Sequence, residues 1–235
     1  MCRNKGVRAA GVWRTGWVKL LSPRALRALG RFNAAHPWDH NARYHRWILR
    51  QLPRRCSRAL DIGSGSGDLA RLLARRAASV TAVDCDPVIT ARAQELTPAE
   101  LPMAFVVADA AAGFPAGSYD VISCVAAIHH LPSAEVLARS RRHLTPGGTL
   151  VVVGLYRART PGDHLLGAVA VPADAAMGWL KNKGRPSPRP VSMTAVARPA
   201  DMTFGDVLRE AGRVLPGARL RRRLFWRHTL VRQNP

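Results

Sequence analysis

The sequence predicts an α/β fold built on a parallel sheet that is covered by helices on both faces. Three observations carry this expectation. Short β-branched runs alternate with longer Ala/Leu/Arg stretches through the middle of the chain, and strands alternating with helices imply a parallel sheet. The strand runs are almost continuously apolar, as strands buried on both faces are. With 235 residues and 47% apolar content, the chain can bury a full core as one domain.

The elements follow in order. Residues 59–62 form the first strand, and 69–78 a helix with Leu69, Leu72 and Leu73 on one face. Residues 80–83 form the second strand, ending at Asp84, and 87–96 a helix opened by Pro87 at its first turn. The third strand, 103–108, ends at Asp109; the fourth spans 121–125. A helix over 133–144 precedes an LTPGG turn at 144–148, and the β-branched run 149–153 is the fifth strand.

The stretch ALDIGSGSGDLA at 59–70 is the most informative. A buried-strand run ends in Asp61 and breaks into Gly63, Gly65 and Gly67. Glycine lacks a Cβ, so such a loop can take tight dihedrals and expose N–H groups at the next helix N-terminus, the beginning of a nucleotide-type site. A dinucleotide loop reads G-x-G-x-x-G; the G-x-G-x-G spacing here argues against NAD.

In a parallel sheet, ligands bind beyond the carboxyl ends of the strands, where this chain places Asp61, Asp84, Asp109 and the pair His129–His130. Asp84 lies 21 residues beyond Gly63 (84 − 63), close to the offset of about 20 at which an acid meets ribose hydroxyls. Asp109 can accept from an adenine amino group while the Ala110 N–H donates to a ring nitrogen. For Asp84 and Asp109 the alternative role is a plain helix N-cap.

Taken together, ALDIGSGSGDLA, VTAVDCDP, FVVADAAAGFPAGSYDVISCVAAIHHLP and RRHLTPGGTLVVVG resemble the class I S-adenosylmethionine-dependent methyltransferases over roughly residues 58–155. The resemblance implies a Rossmann-like, doubly wound and mostly parallel sheet of seven strands ending in an antiparallel hairpin. Residues 219–224 and 226–232 are its candidates, with no turn signal between them. It implies S-adenosyl-L-methionine as cofactor, with Asp61, Gly63, Gly65 and Gly67 around the methionine part, Asp84 on the ribose, and Asp109 and Ala110 on the adenine. The reaction is in-line displacement at an activated methyl carbon. Alignment supplies most of the catalysis, so a base is optional, and His129 or His130 is the candidate, either as base or as pocket wall.

The net charge of +21 ordinarily points to nucleic acid or an anionic surface. Only Lys5, Lys19, Lys181 and Lys183 are lysines, and Ala, Gly and Pro are abundant, which reads as compositional bias. Arg71, Arg75 and Arg76 fit a solvated helix face, and Arg139, Arg141 and Arg142 a helix C-terminus. Strand four also lacks the Asn/Asp-Pro-Pro-Tyr motif of many nucleic-acid methylating enzymes. A small-molecule acceptor, lipid-soluble compounds and secondary metabolites included, is therefore favoured over RNA, and over a non-catalytic binding module.

Cys2, Cys56, Cys85 and Cys124 form no C-x-x-C pair, so neither a disulfide framework nor a zinc site is expected. No apolar run reaches the roughly 18 residues of a bilayer span, and no signal-peptide core is evident, so a cytoplasmic setting is expected. Residues 1–35 read as a basic extension to a single domain over 36–235. Residues 1–31 carry eight Lys or Arg and no acid, with Trp13, Trp17, Leu20 and Leu21 at helical spacing. That pattern fits peripheral contact with an anionic membrane, a docking helix or a disordered extension, with Pro23 cutting any such helix short. No obligate protein partner is evident. Two segments are candidates for the acceptor side: Tyr44, Trp47, Ile48 and Leu52 within 36–53, and an irregular insertion over 157–205 expected to cap the acceptor.

Overall fold

The computed structural model describes residues 22–195 and 198–235. Trp13, Trp17, Leu20 and Leu21 therefore lie outside the described residues. Seven strands form one sheet: β1 (Cys56–Ile62), β2 (Ala77–Asp84), β3 (Met103–Val107), β4 (Tyr119–Val125), β5 (Leu144–Leu155), β6 (Arg219–Arg223) and β7 (Arg227–Gln233). Their order is β3-β2-β1-β4-β5-β7-β6. Strands β1 to β5 pair in parallel, while β7 runs antiparallel between β5 and β6. The order reverses at β1/β4, the switch point at which sheets of this kind bind ligands.

Strand alternation sorts the side chains into two cores. Leu60, Ile62, Ile122, Leu150 and Val152 point to one face, where α5 (Ser133–His143) and α7 (Phe204–Val214) cover them. Ala59, Val80, Ala82, Val151 and Val153 point to the other, against α2 (Ala42–Gln51) and α3 (Asp68–Leu73). Tyr44, Ile48 and Leu52 are buried in this second core, so the stripe of α2 is packing against α3 and the sheet. The remaining helices are α1 (Pro23–Ala35), α4 (Pro87–Glu95) and α6 (Pro161–Lys181).

Several elements depart from the expected boundaries for identifiable reasons. Helix α3 stops at Leu73, the Arg76 N–H turns back to the Leu73 carbonyl, and β2 already begins at Ala77. The LTPGG segment is no simple turn: β5 begins at Leu144, and its register shifts between Tyr119↔Leu144 and Val121↔Thr149 as the extra residues bulge. Pro23 begins a helix, at the first turn of α1 behind a Ser22 N-cap whose hydroxyl accepts from the Ala25 N–H.

Residues 157–205, expected to be irregular, contain the 21-residue helix α6. A capping box opens it, Thr160 accepting from the Asp163 N–H while Asp163 accepts from the Thr160 N–H. The β6–β7 hairpin turns through Phe225 and Trp226 at φ 60° and 54°. Bulky residues rarely adopt this region, and the usual Asn-Gly signal is missing; both side chains are instead buried with Trp38, Ala170 and Val171 in a third, smaller core.

Candidate active site at the carboxyl edge of the sheet

The glycine loop leaves β1 in the left-handed region at all three expected glycines, with φ of 67°, 52° and 75° at Gly63, Gly65 and Gly67. Two of them are needed for different reasons. A Cβ at Gly63 would lie 2.2 Å from Ala127 Cβ, so the loop after β4 closes on it. A Cβ at Gly65 would meet nothing within 4 Å, so its backbone faces open space. That opening is a cradle a side chain would fill, and a small ligand can approach the chain there.

Carboxylates hold the loop from beneath. The Gly63 and Ser64 N–H groups donate to the Val83 carbonyl at 2.8 and 3.0 Å. Asp84 accepts from the Gly65 N–H at 2.8 Å through Oδ2 and from the Asp86 N–H at 3.0 Å through Oδ1. Its carboxylate is thereby fixed beside the open backbone of Gly65, with lone pairs left for hydroxyl donors. Asp61 is 2% exposed and accepts a 2.7 Å hydrogen bond from the Ser123 hydroxyl. Burial pushes its pKa up to about 7, Ser123 opposing and the Asp84 charge adding to the rise.

Asp109 follows β3 and accepts from the Ala111 N–H at 2.9 Å through Oδ1, and Ala110 is buried against the first core. A residue missed at the sequence level holds this turn. Arg139, read as complementing a helix end, instead donates to the Ala110 and Ala111 carbonyls at 2.8 and 3.0 Å and lies over the Phe114 ring. Arg71 likewise is no simple solvated cation: it bonds Asp68, the Ser66 carbonyl and Thr97 behind the glycine loop. Arg76 donates to the Leu49 carbonyl, while Arg75 is exposed.

Beyond β4, Ala126 sits at φ 54° with its N–H donating to the Val153 carbonyl at 2.7 Å. A left-handed non-glycine residue is backbone strain of the kind that gathers at functional edges. It leads into a short 3-10 turn carrying His129 and His130, whose rings lie 4.0 Å apart. Burial pushes His129 down to about 3, with the neighbouring His130 and Arg227 adding to the shift and a hydrogen bond to the Arg198 backbone opposing it. His130 is also lowered, by burial first and then by Arg198, while the Asp84 charge opposes. The segment 157–205 thus reaches this edge through Arg198.

His228 on β7 was not anticipated. It is 2% exposed, its ring packs on Gly154 of β5, and burial pushes its pKa down to about 4, Arg227 adding to the fall. Arg227 is itself buried and donates to Asn41 at 2.9 Å. No sequence signal marks either residue, because the contacts form only once β7 inserts beside β5. Cys56 and Cys124 are free thiols, and among the described residues no cluster of His, Cys, Asp or Glu could hold a metal ion.

Residues 60–152 match the family of proteins described as a methyltransferase domain. An uncharacterized methyltransferase of Mycobacterium tuberculosis is 32% identical over 203 residues, which cover 85% of this chain and 98% of that relative. A ubiquinone biosynthesis O-methyltransferase of Xanthomonas campestris is 34% identical over 160 residues, 64% of each chain. Among solved structures, the N-methyltransferase NodS from Bradyrhizobium japonicum in complex with S-adenosyl-L-homocysteine superposes with a TM-score of 0.51 at 18% identity. That match spans 89% of this chain and 97% of the other, and shows a shared fold.

Proposed function

Because this chain belongs to the class I S-adenosylmethionine-dependent methyltransferases, we propose that it methylates a hydroxyl of a small phenolic acceptor, with the cofactor across the glycine loop and the acceptor against His129 and His130. The reading rests on the juxtaposition of Asp84 with the open backbone of Gly65, a carboxylate already oriented by two N–H donors at 2.8 and 3.0 Å beside space for a ribose. The Xanthomonas relative, named for ubiquinone biosynthesis, supports a phenolic oxygen as the nucleophile.

S-adenosylmethionine, when bound, supplies a methyl carbon already activated by its sulfonium. The chain supplies position and a proton acceptor. Asp84 holds the ribose hydroxyls, the Ala110 N–H and Asp109 the adenine, and Asp61 with Gly63, Gly65 and Gly67 frames the methionine end. Arg139 acts through the Asp109–Ala111 turn as a positioning residue. His130, kept neutral by burial, has a ring nitrogen available for the phenolic proton, so that the oxygen attacks in line with the breaking carbon–sulfur bond. His129, more strongly depressed, forms the wall behind it. Residues 157–205 cap the acceptor from the side of Arg198.

The test is an acceptor panel of phenols and hydroquinones, with S-adenosylhomocysteine release and product mass as readouts. In His130→Ala, turnover should fall by about 10²-fold, the scale of a general base, with S-adenosylmethionine affinity unchanged. Equal turnover in the variant would reduce His130 to a wall. Methylation of RNA with no phenol accepted would contradict the acceptor class.

A further inference from the structure

Helix α6 is apolar on both its buried and its exposed faces. Its buried positions are Asp163, Gly167, Ala170, Val171, Asp174 and Gly178, two of them carboxylates. Asp174 is 5% exposed and accepts from the Trp38 indole at 2.7 Å and from the Asn33 amide at 3.2 Å, with His40 Nε2 at 2.6 Å from Oδ1. Asp163 caps the helix and faces Arg222 at 3.2 Å. This face joins the third core through Ala170 and Val171, and its two carboxylates are paired within the protein.

The opposite face carries Leu165, Val169, Pro172, Ala176, Trp179 and Leu180, all exposed. At 3.6 residues per turn these positions fall within an arc of about 100°, a continuous stripe along the whole helix. Leu165 is 69% exposed, Val169 52%, Trp179 50% and Leu180 60%, so the stripe is not incidental edge exposure of core residues. Large contiguous apolar surface of this kind marks a contact with something apolar.

Exposed cations lie on the chain that follows the helix and on the helix packed against its inner face. Lys181, Lys183, Arg185 and Arg189 follow the helix and are exposed, and α1, packed alongside through Leu29 and Asn33, exposes Arg24, Arg27 and Arg31. Between residues 157 and 200 Asp163 and Asp174 are the acids, and both are buried. Cations flanking a stripe with a tryptophan match an anionic bilayer, where the aliphatic side chains enter the acyl boundary and the Lys and Arg heads meet lipid phosphates. A second copy of the chain would bring the same cations against each other. Nucleic acid would meet mostly aliphatic groups that neither stack nor hydrogen-bond, with Trp179 the single ring in the row. No helix among the described residues is long and apolar enough to cross a membrane.

We infer that the outer face of α6, bordered by the cations of α1 and of residues 181–189, docks the protein on an anionic membrane surface. The helix starts beyond the carboxyl end of β5, so docking sets the acceptor side of the site beside the lipid. The inference stands apart from the choice of acceptor, and vesicle partition reads it without turnover.

The experiment is co-sedimentation of the full chain with vesicles of phosphatidylcholine alone and of phosphatidylcholine mixed with phosphatidylglycerol. The parent protein should partition at least about tenfold more strongly into the anionic vesicles, and added salt should weaken that preference. Leu165→Glu with Val169→Glu should lower the partition at least about tenfold, since burying even one such side chain is worth that much. Lys181→Gln with Lys183→Gln should lower it by several-fold, and both double variants should bind S-adenosylhomocysteine like the parent, which confirms their fold. Equal partition into neutral and anionic vesicles, or partition untouched by the α6 substitutions, would overturn the inference. So would a parent dimer that Leu165→Glu with Val169→Glu converts to monomer, or single-stranded RNA binding that those substitutions abolish in place of vesicle binding.

Discussion

The two sides of the sheet's carboxyl edge are built from different material. On the side of β1, β2 and β3, the surface offered to a ligand is backbone: the loop of Gly63, Gly65 and Gly67, pinned by Asp84 and the Val83 carbonyl, and the Ala110 turn tied down by Arg139. On the side of β4, β5 and β7 it is side chains, His129 and His130, backed by the buried His228 and Arg227. Backbone recognition suits a ligand that never changes. Side-chain recognition can be altered residue by residue while the sheet beneath stays the same, so cofactor and acceptor specificity can be separated within one fold.

Substitution should separate the two sides most clearly at the glycines. Gly63→Ala forces a left-handed alanine against Ala127 at 2.2 Å, and should cost at least about 3 kcal/mol of stability and abolish cofactor binding, read by thermal unfolding and calorimetry. Gly65→Ala, with nothing within 4 Å, should cost only about 1–2 kcal/mol of strain yet still weaken binding, because its methyl occupies the ligand's approach. If Gly65→Ala bound the cofactor normally, the backbone contact on that side would be disproved. Next in size, Asp84→Ala should weaken binding by roughly 1–3 kcal/mol, the scale of lost charged hydrogen bonds.

How readily each side can be read from sequence follows from the same contrast. Asp61, the three glycines and Asp84 are legible because turn, loop and acid lie within a short stretch and each residue type answers a local backbone need. The strand rhythm is legible because β4, β5 and the later parts of β1 and β2 are buried on both faces, and β3, though half-exposed at the sheet edge, is apolar throughout. Arg139 escapes this reading, since its bonds to the Ala110 and Ala111 carbonyls span 29 and 28 residues. His228, Arg227 and the Trp38–Asp174 pair, 136 residues apart, are also set by tertiary contact alone. Phe225 and Trp226 defeat the turn signal outright, because burial in the third core holds dihedrals that local preference disfavours.

In pH dependence the two sides should act with opposite sign. His228 titrates near 6.5 unfolded and is pushed down to about 4 in the fold. The unfolded chain then binds more protons between those values, so this group's contribution to stability is lost as pH falls from about 6.5 to 4. Asp61 titrates near 3.8 unfolded and is raised to about 7 in the fold, so the native state holds the extra proton and stability falls as pH rises through that window. His228→Leu should remove the first slope and Asp61→Asn the second, each on the order of 3–4 kcal/mol across its window in denaturant melts. Identical pH profiles in both variants and the parent would mean that neither group is desolvated as described.

The most direct measurement is calorimetric titration of S-adenosylhomocysteine into the parent protein and into Asp84→Ala, with NAD as the control ligand. The expected result is one site in the parent, no NAD binding, and an affinity roughly 5- to 150-fold weaker in the variant, corresponding to about 1–3 kcal/mol. Equal affinity in a folded Asp84→Ala protein would contradict the central placement of the cofactor against Asp84 and the Gly65 backbone.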